Sequence, residues 1–466
     1  MSQMSWKQLG GATLAFFVWS VQASAEPYPS TYQAQSSAPV LIRNATVLDG
    51  TGRRLDGADV LIRDGKIVEV GTALLPGDAT TIDANGRWVT PGLIDVHSHL
   101  GVYASPGVNA TQDGNEMTDP VTAGVWAEHS VWPQDPGFAT ALAGGVTTIH
   151  ILPGSGNLIG GRGVTLRNVP AATYQAMKFP GAAHGLKMAC GENPKRVYGE
   201  RTQAPSTRMG NVAGYRQAFA DAEDYQHQWQ KYEAEIAAYD RKKAKDRDPA
   251  ERPVPPKRDL RLETLVAAMQ GQVQVQVHCY RADEMAVMLD LAREFHFKIA
   301  AFHHGVEAYK IADRLAQEGV CGALWADWWG FKLEAYDGIW ENLAYVDAPK
   351  DGCAIVHSDS DEGIQRLNQE AAKAMSRGQR AGLDIPPERA IRWITSNAAK
   401  ALGLAGRVGT LEPGKMADVV VWNRDPFSVY ALPDLVYIDG ALAYDRNHPP
   451  ATPRSDFLLG QPGAAR

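Results

Sequence analysis

Eight short apolar runs constrain the fold of this chain more than any other feature. They are LIDVH at 93–97, VTTIHIL at 146–152, the weaker GVTLRN at 163–168, GLKMAC at 185–190, VQVQVHC at 273–279, KIAAFHH at 298–304, CGALWA at 321–326 and CAIVHSD at 353–359. Longer stretches with helical spacing separate them, and strands alternating with helices ask for a parallel α/β architecture. A doubly wound sheet would use the same strands. The polar residues at the run ends favour a (β/α)8 barrel of the TIM type, because a barrel gathers the carboxyl ends of its strands on one face.

The flanks read differently. At 41–71, LIRNATVLDGTGRRLDGADVLIRDGKIVEVG alternates apolar and polar residues between Gly/Asp turn signals, the pattern of short antiparallel strands. GTLEPGKMADVVVWNRDP at 409–426 and LVYIDGALAYD at 435–445 repeat that character. The two ends are therefore expected to build one small β-sandwich, from 38–90 and 405–450, around a barrel spanning 91–404. Inside the barrel, 211–247 is rich in Glu, Lys, Gln, Tyr and Ala with helical spacing, and DPAERPVPPKRD follows with helix-breaking prolines. A helical insertion over 211–258 is expected, its charges forming a solvated face.

Hydrophobic residues at 44% and charged residues at 21% are ordinary globular usage, which excludes a disordered tail and a membrane bundle. A net charge of −7 with no long Lys/Arg block argues against nucleic acid as a partner. Residues 1–25 carry Lys7, an apolar run at 9–21 and Ala23-Ser24-Ala25 before Glu26, the pattern of a cleaved secretory leader. That run is well short of the ~20 apolar residues needed to span a bilayer, so no stable membrane anchor is expected after processing. The mature chain is expected in the periplasm of a Gram-negative cell or outside it. The four cysteines, Cys190, Cys279, Cys321 and Cys353, are too sparse for a disulfide framework and are expected as buried thiols.

His97 and His99 sit two apart at the end of an apolar strand, and a period of two puts both side chains on one face. His278, His304 and Asp359 close three other runs and would meet the pair at the same rim. Four imidazoles and a carboxylate suit zinc and its neighbours. The alternative without chemistry is a histidine-lined barrel that only binds a ligand, exploiting the aromatic run Trp325–Trp329, WADWWG at 325–330.

At this point the chain resembles the amidohydrolase superfamily. The matching frames are PGLIDVHSHL, GGVTTIHILPGSGNLIGGRG, GLKMACGENPKR, VHCYRADE, AFHHGVEAYK, VHSDSDEG and TSNAAKALGLAGRVGTLEPGKMADVVVWNRDP, with RNATVLDGTG and IRDGKIVEVG near the start. Within the superfamily it looks like the imidazolonepropionase-related branch of exported members. The resemblance implies a metal-bearing barrel joined to a sandwich from both termini. It implies His97 and His99 as the first-strand ligands, His278 and His304 as those of strands five and six, and Asp359 as a ligand that also takes the proton of the attacking water. His303 is then a packed or hydrogen-bonded neighbour, and His357 is a candidate to touch substrate. In relatives with two metals a carboxylated lysine on the fourth strand bridges them, and Lys187 resembles it; Glu192 resembles the glutamate that other members use. Two zinc ions per chain are expected.

The implied reaction is hydrolysis of an amide, peptide or cyclic amide C–N bond, as by a dipeptidase or an N-acyl amino acid hydrolase. Ring-deaminating or cyclic amidine hydrolysing relatives place a glutamate at H-x-x-E after the fifth-strand histidine, and here that position is Arg281. Arg281 disfavours deamination and could clamp a carboxylate through its planar fork, which suggests a small substrate carrying a free carboxylate. The sequence leaves room for a homo-oligomer.

Overall fold

The computed structural model describes residues 27–448. The leader pattern at 1–25 lies outside them. The chain builds five strands first: β1 (Val40–Leu48), β2 (Arg54–Arg63), β3 (Lys66–Gly71), β4 (Thr80–Asp83) and β5 (Trp88–Pro91). Eight more follow: β6 (Leu93–Ser98), β7 (Val146–Ile151), β8 (Ile159–Arg167), β9 (Gly185–Ala189), β10 (Gln274–His278), β11 (Ile299–His303), β12 (Cys321–Leu324) and β13 (Ala354–Val356). The last three are β14 (Val419–Trp422), β15 (Pro433–Ile438) and β16 (Ala441–Asp445).

These strands form two sheets. One runs β16-β15-β14-β5-β1-β2-β3, with β4 also on β1, so both ends of the chain share it; the other runs β6 to β13 in sequence order as a nearly closed barrel. The eight apolar runs are the eight barrel strands. The architecture is a TIM-like barrel with a β-sandwich domain from the termini.

The barrel departs from the all-parallel expectation at one strand, since β8 is antiparallel to both β7 and β9. Only residues 152–158 connect β7 to β8, and a parallel neighbour needs a crossover of a dozen or more residues. The insertion begins as a 34-residue helix, Arg208–Arg241, started by the Thr207 hydroxyl accepting from the Gly210 amide. Its inner face buries Tyr215, Phe219 and Tyr225, and the prolines beyond it keep the return segment out of helix except for short turns. No helix among the described residues is long and apolar enough to cross a membrane.

A correction concerns the cysteines, which pair as Cys190–Cys279 and Cys321–Cys353 with Cα separations of 5.2 and 4.6 Å. The register explains it. Ala189 lies opposite His278, so the next residues, Cys190 and Cys279, face each other, and Gly322 opposite Ala354 places Cys321 beside Cys353. Counting cysteines does not reveal that register, and disulfides need Cα atoms within about 4.4–6.8 Å.

Barrel and terminal sheet are riveted by buried charge. Arg167, at the end of β8 and fully buried, donates to both oxygens of Asp418 (2.6 and 2.5 Å) and lies 3.0 Å from Asp439. Phe179 covers its guanidinium at 5.1 Å, and the Tyr32 hydroxyl donates to Asp439. Two carboxylates against one arginine hold together because the second is also hydrogen-bonded; removing the arginine would leave both buried without a compensating charge, a state that costs several kcal/mol.

Candidate metal centre

A register shift between Asp95 and Ser98 interrupts the alternation of β6: Ile94 and Val96 share a buried cluster with Ala301, Ala323 and Ile355, and His97 and His99 beyond them meet at their Nε2 atoms. By strand parity Leu186 and Met188 pack outward and Lys187 points in, and Gln276 joins His278 on the inner face of β10. At the end of β11 the alternation breaks. His304 takes a left-handed backbone, φ 61°, which turns its ring to the side that His303 already occupies, so both face His97 with ring centroids 4.5 and 4.7 Å away. Asp359 is left-handed too, φ 52°. Such backbone costs on the order of 1–3 kcal/mol for a residue with a Cβ and persists where the surroundings fix it.

At Asp359 it is fixed by a seam. The outer strands β6 and β13 are joined through Asp95, whose Oδ1 accepts from the amides of His97 and Ser358, both at 3.2 Å, and whose Oδ2 accepts from the Ser358 hydroxyl. The Asp359 amide donates to the His97 carbonyl at 3.0 Å. Burial pushes the Asp95 carboxyl up to about 7, with the Ser358 and backbone hydrogen bonds pulling the other way.

Across this seam the donor atoms converge. His97 Nε2 and His99 Nε2 are 3.3 Å apart, and Asp359 Oδ1 lies 3.4 and 3.2 Å from them. His304 Nε2 is 3.8 Å from Asp359 Oδ2. One donor atom from each of His97, His304 and Asp359 fits within a 4.8 Å span. Lys187 Nζ is 3.5 Å from His97 Nε2 and donates to the Pro153 carbonyl at 3.0 Å. His278 is buried with its ring 4.8 Å from that of His304, and neither ring nitrogen has a hydrogen-bond partner. Buried imidazole nitrogens that no protein group satisfies are placed to give their lone pairs to a cation.

Electrostatics suit a cation. Burial, first, and then neighbouring positive groups hold His97, His278 and His304 well below their ordinary range, so all three are neutral with a lone pair to give. Burial also lowers the Lys187 amine to about 7. Burial pulls the Asp359 carboxyl up, but the hydrogen bond and charge of His99 outweigh it, and the group stays below the ordinary carboxylate range. This donor set of neutral imidazoles and one ionised carboxylate fits a divalent metal.

Hydrogen bonds behind the rings aim the lone pairs. Gln276 donates through Nε2 to the Ala401 carbonyl at 3.3 Å, leaving Oε1 to accept from His303 Nε2 at 2.8 Å. His303 Nδ1 then accepts from His97 Nδ1 at 2.9 Å, which leaves His97 Nε2 as a free lone pair facing Asp359. His99 Nδ1 donates to the Leu152 carbonyl at 2.8 Å, which fixes the orientation of that ring with Nε2 toward Asp359. His304 Nδ1 meets His357 Nε2 at 3.1 Å, so His357 stands behind a ligand candidate and is itself buried. Gln276 and Asp95 escaped sequence reasoning: Gln276 lies two residues before His278 on the inner face, where parity could have found it, whereas the register shift after Asp95 hides that residue from any spacing rule.

The remaining candidates are engaged by other partners. Glu192 opens the helix Glu192–Gly199 and sits 3.4 Å from Lys332. Arg281 precedes the helix Ala282–Glu294 and spends its fork on Asp283, at 2.9 and 3.0 Å, with 42% of its side chain exposed. Trp325 stacks on His304 at 4.4 Å, so the aromatic run does begin at the cluster.

The amidohydrolase family pattern matches residues 351–444. An amidohydrolase structure from Thermotoga maritima is 35% identical, covers 87% of this chain and is itself covered completely, with a TM-score of 0.76. The amidohydrolase tasK of Hapsidospora irregularis is 33% identical over 444 residues, which are 87% of this chain and 43% of that longer protein. A D-hydantoinase from Ralstonia pickettii is 48% identical over 61 residues, 13% of either chain. The chain thus spans less than half the length of these two curated relatives.

The chain of hydrogen bonds behind His97 makes a prediction. His303→Phe keeps a ring of similar size but leaves His97 free to present either nitrogen, so affinity for zinc, measured by chelator competition, falls about 10–100-fold. Unchanged affinity would remove His303 from any supporting role.

Proposed function

Because this chain belongs to the amidohydrolase family, we propose that it is a metal-dependent hydrolase that cleaves the C–N bond of an amide, peptide or cyclic amide. The observation that carries the reading is the convergence of neutral, buried imidazoles with an ionised carboxylate at one point of the barrel mouth. His97, His99, His278, His304 and Asp359 would hold divalent metal, two zinc ions in the finer form of the proposal. Metal at such a site polarises a carbonyl and brings the pKa of water toward ~7. Asp359, with 23% of its side chain exposed to the mouth, takes the proton of the attacking water and returns it to the leaving nitrogen as the C–N bond breaks. The relative named D-hydantoinase supports including cyclic amides. The finer assignment to the imidazolonepropionase-related exported branch rests on the sequence frames alone.

Lys187 is the proposed bridge. Its amine, brought to about 7 by burial, is about half uncharged at neutral pH, and the uncharged form can add to carbon dioxide, forming an N–C bond and releasing one proton. The resulting carbamate is an anion beside the imidazoles. Glu192, held by Lys332, is the less favoured bridge. A substrate carboxylate would compete with Asp283 for the Nε–Nη2 edge of Arg281.

Export is proposed on the leader pattern, and the two disulfides support it, since such bonds persist in oxidising compartments. Amino-terminal sequencing of purified protein is expected to read from Glu26, and an intact leader would refute processing.

Asp359→Asn keeps the side chain's shape and one oxygen donor but cannot take a proton. Its kcat is expected to fall ~10²–10⁴-fold at full metal occupancy with little change in KM. Wild-type turnover would sink the proton role, and Asp361, exposed on the following loop, is not placed to replace it.

Metal analysis is expected to give two ions per chain for the wild type and about one for Lys187→Ala, with added acetate or propionate restoring part of the second. Two ions in the lysine variant would move the bridge to another group.

A further inference from the structure

The mouth of the centre is walled on one side by aromatic rings that the reaction itself does not need. Trp325 lies flat against His304, its centroid 4.4 Å away, and its indole N–H reaches the Ser358 carbonyl at 3.4 Å. Tyr280 packs edge-on against His278 at 4.6 Å. Phe331 touches both, 5.9 Å from Trp325 and 6.1 Å from Tyr280, and Trp328 meets Trp325 at 5.3 Å. Burial falls outward along this path: Tyr280 is 5% exposed, whereas Phe331 is 56% and Trp328 52% exposed. Large rings left in water next to a buried ligand cluster are a signature of surface that a ligand covers.

The charges at this rim are already matched among the described residues. Lys332 lies 4.3 Å over the Tyr280 ring and is bracketed by Glu192 and Glu334 at 3.4 and 3.5 Å. Arg208 is held by Glu284 and Glu334 at 3.0 and 2.9 Å. The wall therefore offers a substrate flat apolar faces, and it offers no cation without a carboxylate partner.

We propose that Trp328 and Phe331, continuing the wall of Tyr280 and Trp325, form the subsite for the substrate's side group, and that the substrate class is amides whose side group is an aromatic ring or a comparably large apolar group. This rests on the hydrolytic reading above, so the test separates binding from turnover. Metal-loaded enzyme is mixed with N-acetylphenylalanine or N-acetylalanine. Binding is read from tryptophan fluorescence in the first moments, and hydrolysis from amine release afterwards. The aromatic compound is expected to bind about 10-fold or more tightly. Phe331→Ala and Trp328→Ala are each expected to shrink that preference severalfold, while Phe331→Tyr keeps it. Thermal unfolding of each variant verifies folding, and the tyrosine variant preserves the test should an alanine variant fail to fold. Equal binding of the two compounds by the wild type would overturn the proposal whether or not either is hydrolysed. A preference that survives both alanine substitutions would overturn it as well. A preference that needs these rings, with no amine released from either compound, would uphold the subsite and sink the hydrolytic reading instead.

Discussion

The seam between β6 and β13 is the interaction on which the site depends. No ladder of strand hydrogen bonds joins these two strands, so closure falls to a few hydrogen bonds centred on one buried carboxylate. Asp95 takes two amides and a hydroxyl, and the Asp359 amide adds a bond to the His97 carbonyl. Because His97 and His99 hang from one side of the seam and Asp359 from the other, the same bonds that close the barrel set the spacing of the donor atoms. A buried carboxylate is expensive unless its lone pairs are filled, and here they are filled by groups belonging to both strands.

Around that seam the histidines divide by task. Some present a lone pair toward the centre; others stand behind and decide which nitrogen is presented. Gln276 and His303 do this for His97, the Leu152 carbonyl does it for His99, and His357 abuts His304. Stacking so many imidazoles in a dry interior would be costly if they were charged, and burial keeps them neutral, which is also the form that binds metal. The low dielectric that would punish a stray charge thus prepares the cluster to receive a cation. The left-handed backbones of His304 and Asp359 belong to the same economy, since each is held where the packing on both sides leaves one orientation.

Much of this was legible beforehand, for reasons that can be named. A strand places every second residue on one face, so His97 with His99, Lys187 between Leu186 and Met188, and His278 could be oriented from spacing. The apolar runs located all eight barrel strands because each must bury one face against helices and the other inside the barrel. The reversal of β8 was hidden in the weakness of its signal, although the short link at 152–158 carried the information. The cysteine pairs depended on which strands are neighbours and in what register, a relation between segments far apart in the chain.

The sequence by itself determined the strand set, the pairing of both termini in one sheet and the inward placement of His97, Lys187 and His278, because periodicity and apolar burial are local properties of the chain. Tertiary structure alone decided which polar residues share the centre and which do not. Arg281 and Glu192 sit near ligand candidates in sequence, yet Asp283 and Lys332 reach them first, and an ion pair forms with whichever partner the fold brings within a few ångströms. His303 and His304 are adjacent and opposite in strand parity, and only the left-handed turn at His304 puts both rings on one side. The turned ring packs against those of His97, His278 and His357, which come from distant segments. No spacing rule within one segment could contain that packing.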